Sequence, residues 1–295
     1  MIPRVGIVAI VLAMMVEIAR AALPTTGPVT GWHYAPNANF TPARAYRPGK
    51  SGFNLADVSS VQQLAFLPPG VRALVWVGQC DGVTTDFLRI MRSYLGQSRV
   101  FGFYLMDDPS PWRRLTMGGL QQGCRQSNLN AEADWIHVHM PRARSFVVVM
   151  NLGTPDRPHF DQGYDLATLK VDLIGVDPYP CRSEWKGCDY DMINRYVAAV
   201  EATGVSTRRI VPVYQAFGGG HWSDGAGGVY SLPTPKEEMR IQARWGTLVP
   251  HPAFDYAYSW GSQRQDESLK NSAPLQDVFA GHNRRTSPPR PRHLD

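Results

Sequence analysis

The feature that most constrains this chain is a short apolar run, Arg99-Val-Phe-Gly-Phe-Tyr-Leu-Met-Asp-Asp-Pro109, which ends on two adjacent carboxylates and a proline. A run this rich in aromatic and branched residues reads as a strand buried on both faces. Such a strand has no cause to end on paired acids unless its tip opens into a polar cleft. Val171-Asp-Leu-Ile-Gly-Val-Asp177-Pro-Tyr-Pro180 repeats the order of apolar run, acid, proline and aromatic. Acids set repeatedly at C-terminal strand tips are the layout of a (β/α)8 barrel enzyme, although a single Asp also serves as the cap of a following helix.

Strand signals recur at 29–34, 53–57, 73–78, 100–106, 146–151, 171–176, 210–216 and 255–260, the second of them weak. Helical stripes lie between them. Phe87, Leu88, Ile90, Met91, Tyr94 and Leu95 form one, stopped by Gly96; Met192, Ile193, Tyr196, Val197 and Val200 form another, stopped by Gly204. Thr234-Pro-Lys-Glu237 is a capping box with proline at the first helical position, opening a helix toward Val249. Alternating strands and helices imply a parallel sheet, and eight strands imply closure, so the expected class is α/β, a single (β/α)8 TIM barrel. An open doubly wound sheet is the alternative if the weak strand fails. The first strand is followed by no glycine-rich fingerprint, which argues against a dinucleotide-binding domain.

Residues 1–21 read as a secretory signal peptide: a basic start at Met1–Arg4, an apolar stretch from Val5 to Ile18, and a small-x-small site at Ala19-Arg20-Ala21. The apolar stretch is short for a membrane span. The barrel is assigned to 22–283, and the Pro/Arg-rich segment 284–295 to a disordered basic tail. Outside those two ends the formal net charge of +5 nearly vanishes, so nothing supports nucleic-acid binding. A secreted monomer without cofactor or metal is expected, extracellular or periplasmic. The four cysteines, Cys80, Cys124, Cys181 and Cys188, are an even count and fit two disulfides. Three pairings are possible. Loops after neighbouring strand tips favour Cys80–Cys124, with Cys181–Cys188 closing one loop. No pair has the close spacing of a zinc site.

In a barrel the tips present Trp32, His33 and Tyr34; Asn54 and Asp57; Trp76 and Asp81; Asp107 and Asp108; Asn151; Asp177 and Tyr179; Tyr214, Gln215 and Phe217; and Tyr258, Trp260 and Gln263. This rim is rich in aromatics, carboxylates and amides, poor in Lys and Arg, and has no obvious nucleophilic Ser or Cys. Pyranose faces stack on Trp and Tyr while acids and amides satisfy hydroxyls, so a carbohydrate is the expected ligand. Glycoside hydrolysis adds a proton donor and a second group for the oxocarbenium. Strict alternation puts Asp108 on the face of Met106, Tyr104 and Gly102, and Asp107 on the bulkier face of Leu105, Phe103 and Phe101. On that reading Asp108 points to the axis as the acid and Asp107 supports it from behind, its charge raising the acid's pKa. Asp177, two strands on, then stands about 5–9 Å away, a range that spans both retaining and inverting separations. Tyr179 and Gln215 orient substrate.

The order of these tips resembles the TIM-barrel glycoside hydrolase superfamily, in particular chitinase-like barrels of the family-18 type and secreted barrels whose fourth strand ends in Asp-Glu-Pro. Here the motif reads Phe103-Tyr-Leu-Met-Asp-Asp-Pro109. The resemblance implies Asp108 as proton donor, Asp177 and Tyr179 as the sixth-strand polar pair, and Trp260 as the tryptophan under the sugar. It departs from that pattern in having Asp where the donor is usually Glu, and Gln215 where one large clan has a seventh-strand Glu nucleophile.

Two rival readings come from the same residues. A metal-dependent polysaccharide deacetylase wants histidines on one face, but His137 and His139 sit in a helical stretch where i and i+2 point apart. A catalytically inactive barrel that binds cell-surface or cell-wall glycans fits the donor substitution. Gly218–Gly228 reads as a mobile flap carrying Trp222, and Asn39-Phe-Thr41 as a glycosylation sequon that matters in a eukaryotic secretory host.

Overall fold

The computed structural model describes residues 27–110, 112–114, 120–160, 163–222 and 229–286. The leader assigned to 1–21 lies outside them. Eight parallel strands close into a barrel: β1 (His33–Tyr34), β2 (Leu55–Val58), β3 (Arg72–Trp76), β4 (Val100–Asp107), β5 (Arg144–Val148), β6 (Leu173–Val176), β7 (Ile210–Gln215) and β8 (Asp255–Tyr258). Each pairs with its sequence neighbours, and β1 closes the ring against β8 through His33 opposite Asp255. The weak second strand is real: all four of its residues pair with β3.

Helices cover the barrel: α1 (Thr85–Arg92), α2 (Gln126–His139), α3 (Asp191–Ala202), α4 (Pro235–Leu248) and α5 (Ala273–Thr286). The capping box of α4 forms as its sequence requires, with Thr234 and Glu237 each satisfying the other's backbone N–H. Helix α5 takes in Arg284, Arg285 and Thr286, so the fold runs three residues past the start of the tail assigned at 284; residues 287–295 lie outside the described residues. No helix among the described residues is long and apolar enough to cross a membrane.

Two separate cores result. Alternate strand residues fill the barrel axis, with Tyr34, Leu55, Leu74, Phe101, Tyr104, Phe146, Val213, Phe254 and Tyr256 among them. The other faces pack on the helices, with Phe103, Leu105, Ile174 and Tyr214 meeting Phe87, Ile136, Val197 and Trp245. Gly175 makes room for this filling, because a Cβ there would stand 2.7 Å from Val148 Cγ2 and 2.9 Å from Phe146 Cζ. Disulfides join Cys80 to Cys124 and Cys181 to Cys188. The first ties the loop after β3 to the segment before α2; the second closes the loop after β6.

Candidate active site

Strand β4 sets the site, and it does so by breaking alternation. Its register slips against β3 between Ala73 and Leu74, and against β5 between Tyr104 and Met106. Each bulge puts two residues of β4 opposite one of its neighbour and resets which face follows. Phe101 and Tyr104 therefore both face the axis, whereas Phe103 and Leu105 face the helices and Met106 packs on the outer core. Asp107 then falls on the axial side, where the Tyr104 hydroxyl donates to its Oδ1 at 2.5 Å. The expectation that Asp107 sits behind the cleft is thereby corrected: both acids line it.

Asp108 reaches the same space by a different route. Its φ is +44°, in the left-handed region that a non-glycine residue occupies at a cost of roughly 1–3 kcal/mol. Its N–H donates to Val148 O at 3.1 Å, which carries the chain across to β5 before Pro109 turns it away. Strained backbone of this kind concentrates where a side chain must be aimed.

The cleft over the C-terminal end of the barrel has a volume of about 820 Å³. Asp57 from the tip of β2, Asp107 and Asp108 from β4 and Asp177 after β6 supply its carboxylates. All four are shifted the same way. Burial, then the charge of Asp107, pushes the Asp108 carboxyl up to about 7. Burial, then the charges of Asp108 and Asp107, raises Asp177 well above the ordinary carboxylate range, against an opposing hydrogen bond from Tyr179. Burial likewise raises Asp107 and Asp57. Asp107 thus raises Asp108, both raise Asp177, and Asp108 and Asp177 titrate together, whereas Asp57 is raised by burial alone. Around them Tyr34, Tyr104, Tyr179, Tyr256 and Tyr258 stand as neutral phenols, their own pKa values raised chiefly by burial.

Of the predicted binding residues, the cleft brings together Tyr34, Trp76, Asn151 and Tyr179. Trp76 is 37% exposed, with its ring edge-on to Tyr104 at 4.9 Å. Asn151 is committed to the loop, accepting from the N–H groups of Gly153 and His159 and donating to Tyr196.

Three predicted residues are elsewhere. Trp32 precedes the first strand residue and so lies at the opposite end of the barrel, against Phe101 and under the Arg72 guanidinium. Gln215 is fully buried: its Oε1 accepts from Cys181 N, and its Nε2 donates to the carbonyls of Cys181 and Ser231. It therefore braces the loop after β6 rather than meeting a ligand. Trp260 is 3% exposed and packs with Phe53 in the outer core, because the chain has turned away from the axis after Tyr258.

Other tentative sites also resolve. His137 bonds Asp172, and His139 stacks on Trp135 and bonds its carbonyl, so neither approaches the cleft. Asn39 of the sequon is buried, and its side chain bonds Ala35 O and Asp57 N, which removes it as a glycan acceptor. Asp57, placed at the second strand's tip by the sequence but given no role there, also lines the cleft. Its only signal was an acid in a weak strand.

Comparison with known proteins bears on the fold. A scan of protein-family models and a sequence comparison with curated proteins found no match. Solved structures do match. YKL-39, determined with chitooligosaccharides, aligns at a TM-score of 0.52 and 12% identity over 88% of this chain and 98% of its own. A β-glucuronidase from Ruminococcus gnavus aligns at 0.52 and 8% identity over 87% of this chain and 50% of its own. What these structures share with the chain is the (β/α)8 barrel fold. A family-18 chitinase from Flavobacterium johnsoniae aligns at 0.49, 8% identity, over 88% and 94% of the two chains. At these identities the likeness is one of fold, and the chemistry has to be argued from the cleft.

Proposed function

We propose that this protein is a secreted glycoside hydrolase that acts on a polysaccharide or oligosaccharide by carboxylate acid/base catalysis. The observation that carries the reading is the set of carboxyls with raised proton affinity in a tyrosine-walled cleft. A proton donor for a glycosidic oxygen must hold its proton near neutral pH, and Asp108, pushed up to about 7, does so. As the acetal opens, Asp108 gives its proton to the leaving oxygen. Positive charge then builds on the sugar ring, faced by the carboxylate that Asp108 becomes and by Asp107, with Asp177 beside them; water adds at the anomeric carbon and returns its proton to Asp108. The Tyr104 hydroxyl holds Asp107, and Tyr179 donates to Asp177, so neither depends on water for orientation. Trp76 and the tyrosines offer ring faces to the sugar. Two disulfides fit an oxidising compartment, in keeping with the leader read from residues 1–21.

One observation favours a second reading, a barrel that binds glycans without cleaving them. Every carboxylate of the cleft is shifted upward and none downward, so in acid the site would hold no ionised partner for its donor. Reducing-end release from a polysaccharide panel, with Asp108→Asn in parallel, decides between them. Release by the wild type alone establishes the hydrolase. Release by both removes Asp108 from the mechanism. Retention on glycans with no release by either form establishes the binding protein.

A further inference from the structure

The cleft is divided by charge. Its carboxylates stand over the barrel from β2 to β6, whereas its two basic side chains, Arg182 and Arg264, are in the loops after β6 and β8. An unbroken line of contacts joins the two arginines. The Arg182 guanidinium lies 5.2 Å from the Tyr230 ring, Tyr230 and Trp222 each pack on Phe217 at 5.2 Å, and the Arg264 guanidinium lies 4.7 Å over Trp222. The result is an aromatic tray with a cation at each end. Over the Trp222 ring face, exposed Arg264 keeps its N–H edge open to a second partner, and guanidinium geometry suits the two oxygens of a carboxylate or sulfate.

The tray is also braced. Asp266 Oδ1 accepts from the backbone N–H groups of Gln263 and Arg264, and Arg264 O accepts from His221 N, which ties the β8 loop to the β7 loop beside Trp222. On the other side Arg182 pairs with Tyr230 across a β-bridge, next to the Cys181–Cys188 disulfide, and its guanidinium is 3.8 Å from Glu184. Arg264 forms no ion pair among the described residues, and its side chain is exposed to the cleft mouth.

We propose that this end of the cleft binds an anionic group, carboxylate or sulfate, borne on a sugar ring, so that the substrate class is an acidic polysaccharide. The proposal rests on the reading of the cleft as a glycan site. It explains why basic groups are confined to one sector: an anion beside four carboxyls is tolerated only where it meets a cation, while the bond to be cut, which is neutral, lies over the acids. Arg264 supplies the specificity.

The test is binding by the Asp108→Asn protein to a panel of paired oligosaccharides: oligogalacturonate and hyaluronan fragments with their carboxyl-reduced forms, and heparan sulfate and chondroitin sulfate fragments with their desulfated forms. At least one acidic member is expected to bind about tenfold or more tighter than its neutral counterpart. Arg264→Gln should abolish that preference, Arg264→Lys should keep part of it, and all three proteins should melt alike. Carboxyl reduction and desulfation separate the two anion chemistries. Equal binding of the neutral forms, a preference that survives Arg264→Gln, or retention of no acidic member overturns the proposal. Wild-type turnover is scored separately. An acidic preference without turnover sinks the hydrolase and leaves this inference standing, whereas turnover confined to neutral glycans does the reverse.

Discussion

Two clusters of ionisable groups in this barrel use the same residue type to opposite ends. In the cleft, four aspartates sit with one another and with phenols, and all are driven toward the neutral form. At the β1–β8 seam, Asp255 is more deeply buried than any of them, yet its carboxyl is held well below the usual range. Burial alone pushes both up. The difference is the partner: His33 Nδ1 and His282 Nε2 stand 2.8 and 2.7 Å from the two oxygens of Asp255, with Tyr214 donating from 3.3 Å. His33, Asp255 and His282 also form the candidate metal-ligating group among the described residues. Ligands on a zinc ion at about 2.0–2.1 Å would, however, stand roughly 3.3 Å apart, so these shorter contacts read as direct hydrogen bonds. A carboxylate surrounded by donors ties α5 to the seam and stays ionised; carboxyls without such donors are driven to hold their protons.

The sharpest break between the clusters is Asp108→Asn. It should lower turnover by about 10²–10⁴-fold while leaving the protein folded, measured by reducing-end release beside a thermal melt. Asp255→Asn should do the opposite. The amide keeps one acceptor oxygen and sets an NH2 donor against the other buried imidazole, and unfolding free energy should fall by about 3–5 kcal/mol with turnover per folded molecule unchanged. Trp260→Ala belongs with Asp255→Asn. As a core residue it should cost about 3–5 kcal/mol and leave KM alone, and a raised KM at constant stability would return Trp260 to the sugar site.

This division was only partly legible in the chain. Eight strands were, because a parallel strand buried on both faces is apolar along its length and stops visibly at its polar tip. The acids of β4 and β6 were legible as a pair for the same reason. The facing of Asp107 was not, because a bulge depends on how two neighbouring strands pair, and nothing local in Phe101–Asp107 announces it. Trp32 and Trp260 show a second limit: an aromatic beside a strand end is equally apolar whether it floors the barrel, packs under a helix or meets a ligand. Gln215 shows a third, since an amide facing the axis is free for substrate only if no loop folds down onto it. His33 and Asp255 are 222 residues apart, and their meeting follows from closure of the ring rather than from either local sequence.

Trp76 offers a smaller test of the cleft's aromatic wall. Its exposed face is available to a sugar, so Trp76→Ala should raise KM by about three- to tenfold with kcat little changed. An unchanged KM across the glycans that the protein cleaves would mean that Trp76 only covers Tyr104.

The smallest expected effect separates the two clusters by sign. Asp108 holds its proton up to about pH 7 in the folded protein, whereas an unfolded Asp releases it near 3.9. Its contribution to stability is therefore complete below pH 4 and is lost as pH rises toward 7. Asn does not titrate, and it also relieves Asp177 of a neighbouring charge. Relative to wild type, Asp108→Asn should then gain stability between pH 4 and 8. Because the side chain is open to the cleft, the gain should be under about 1 kcal/mol. Asp255, with its pKa lowered, contributes above pH 4 and loses that contribution only as pH falls further. The deficit of Asp255→Asn should accordingly stay constant from pH 5 to 8 and shrink only in stronger acid. Two melting curves per variant, one at pH 5 and one at pH 8, test the contrast: a gain with rising pH for one substitution and a flat deficit for the other. The same slope for both would mean that the clusters differ in position but not in electrostatic character.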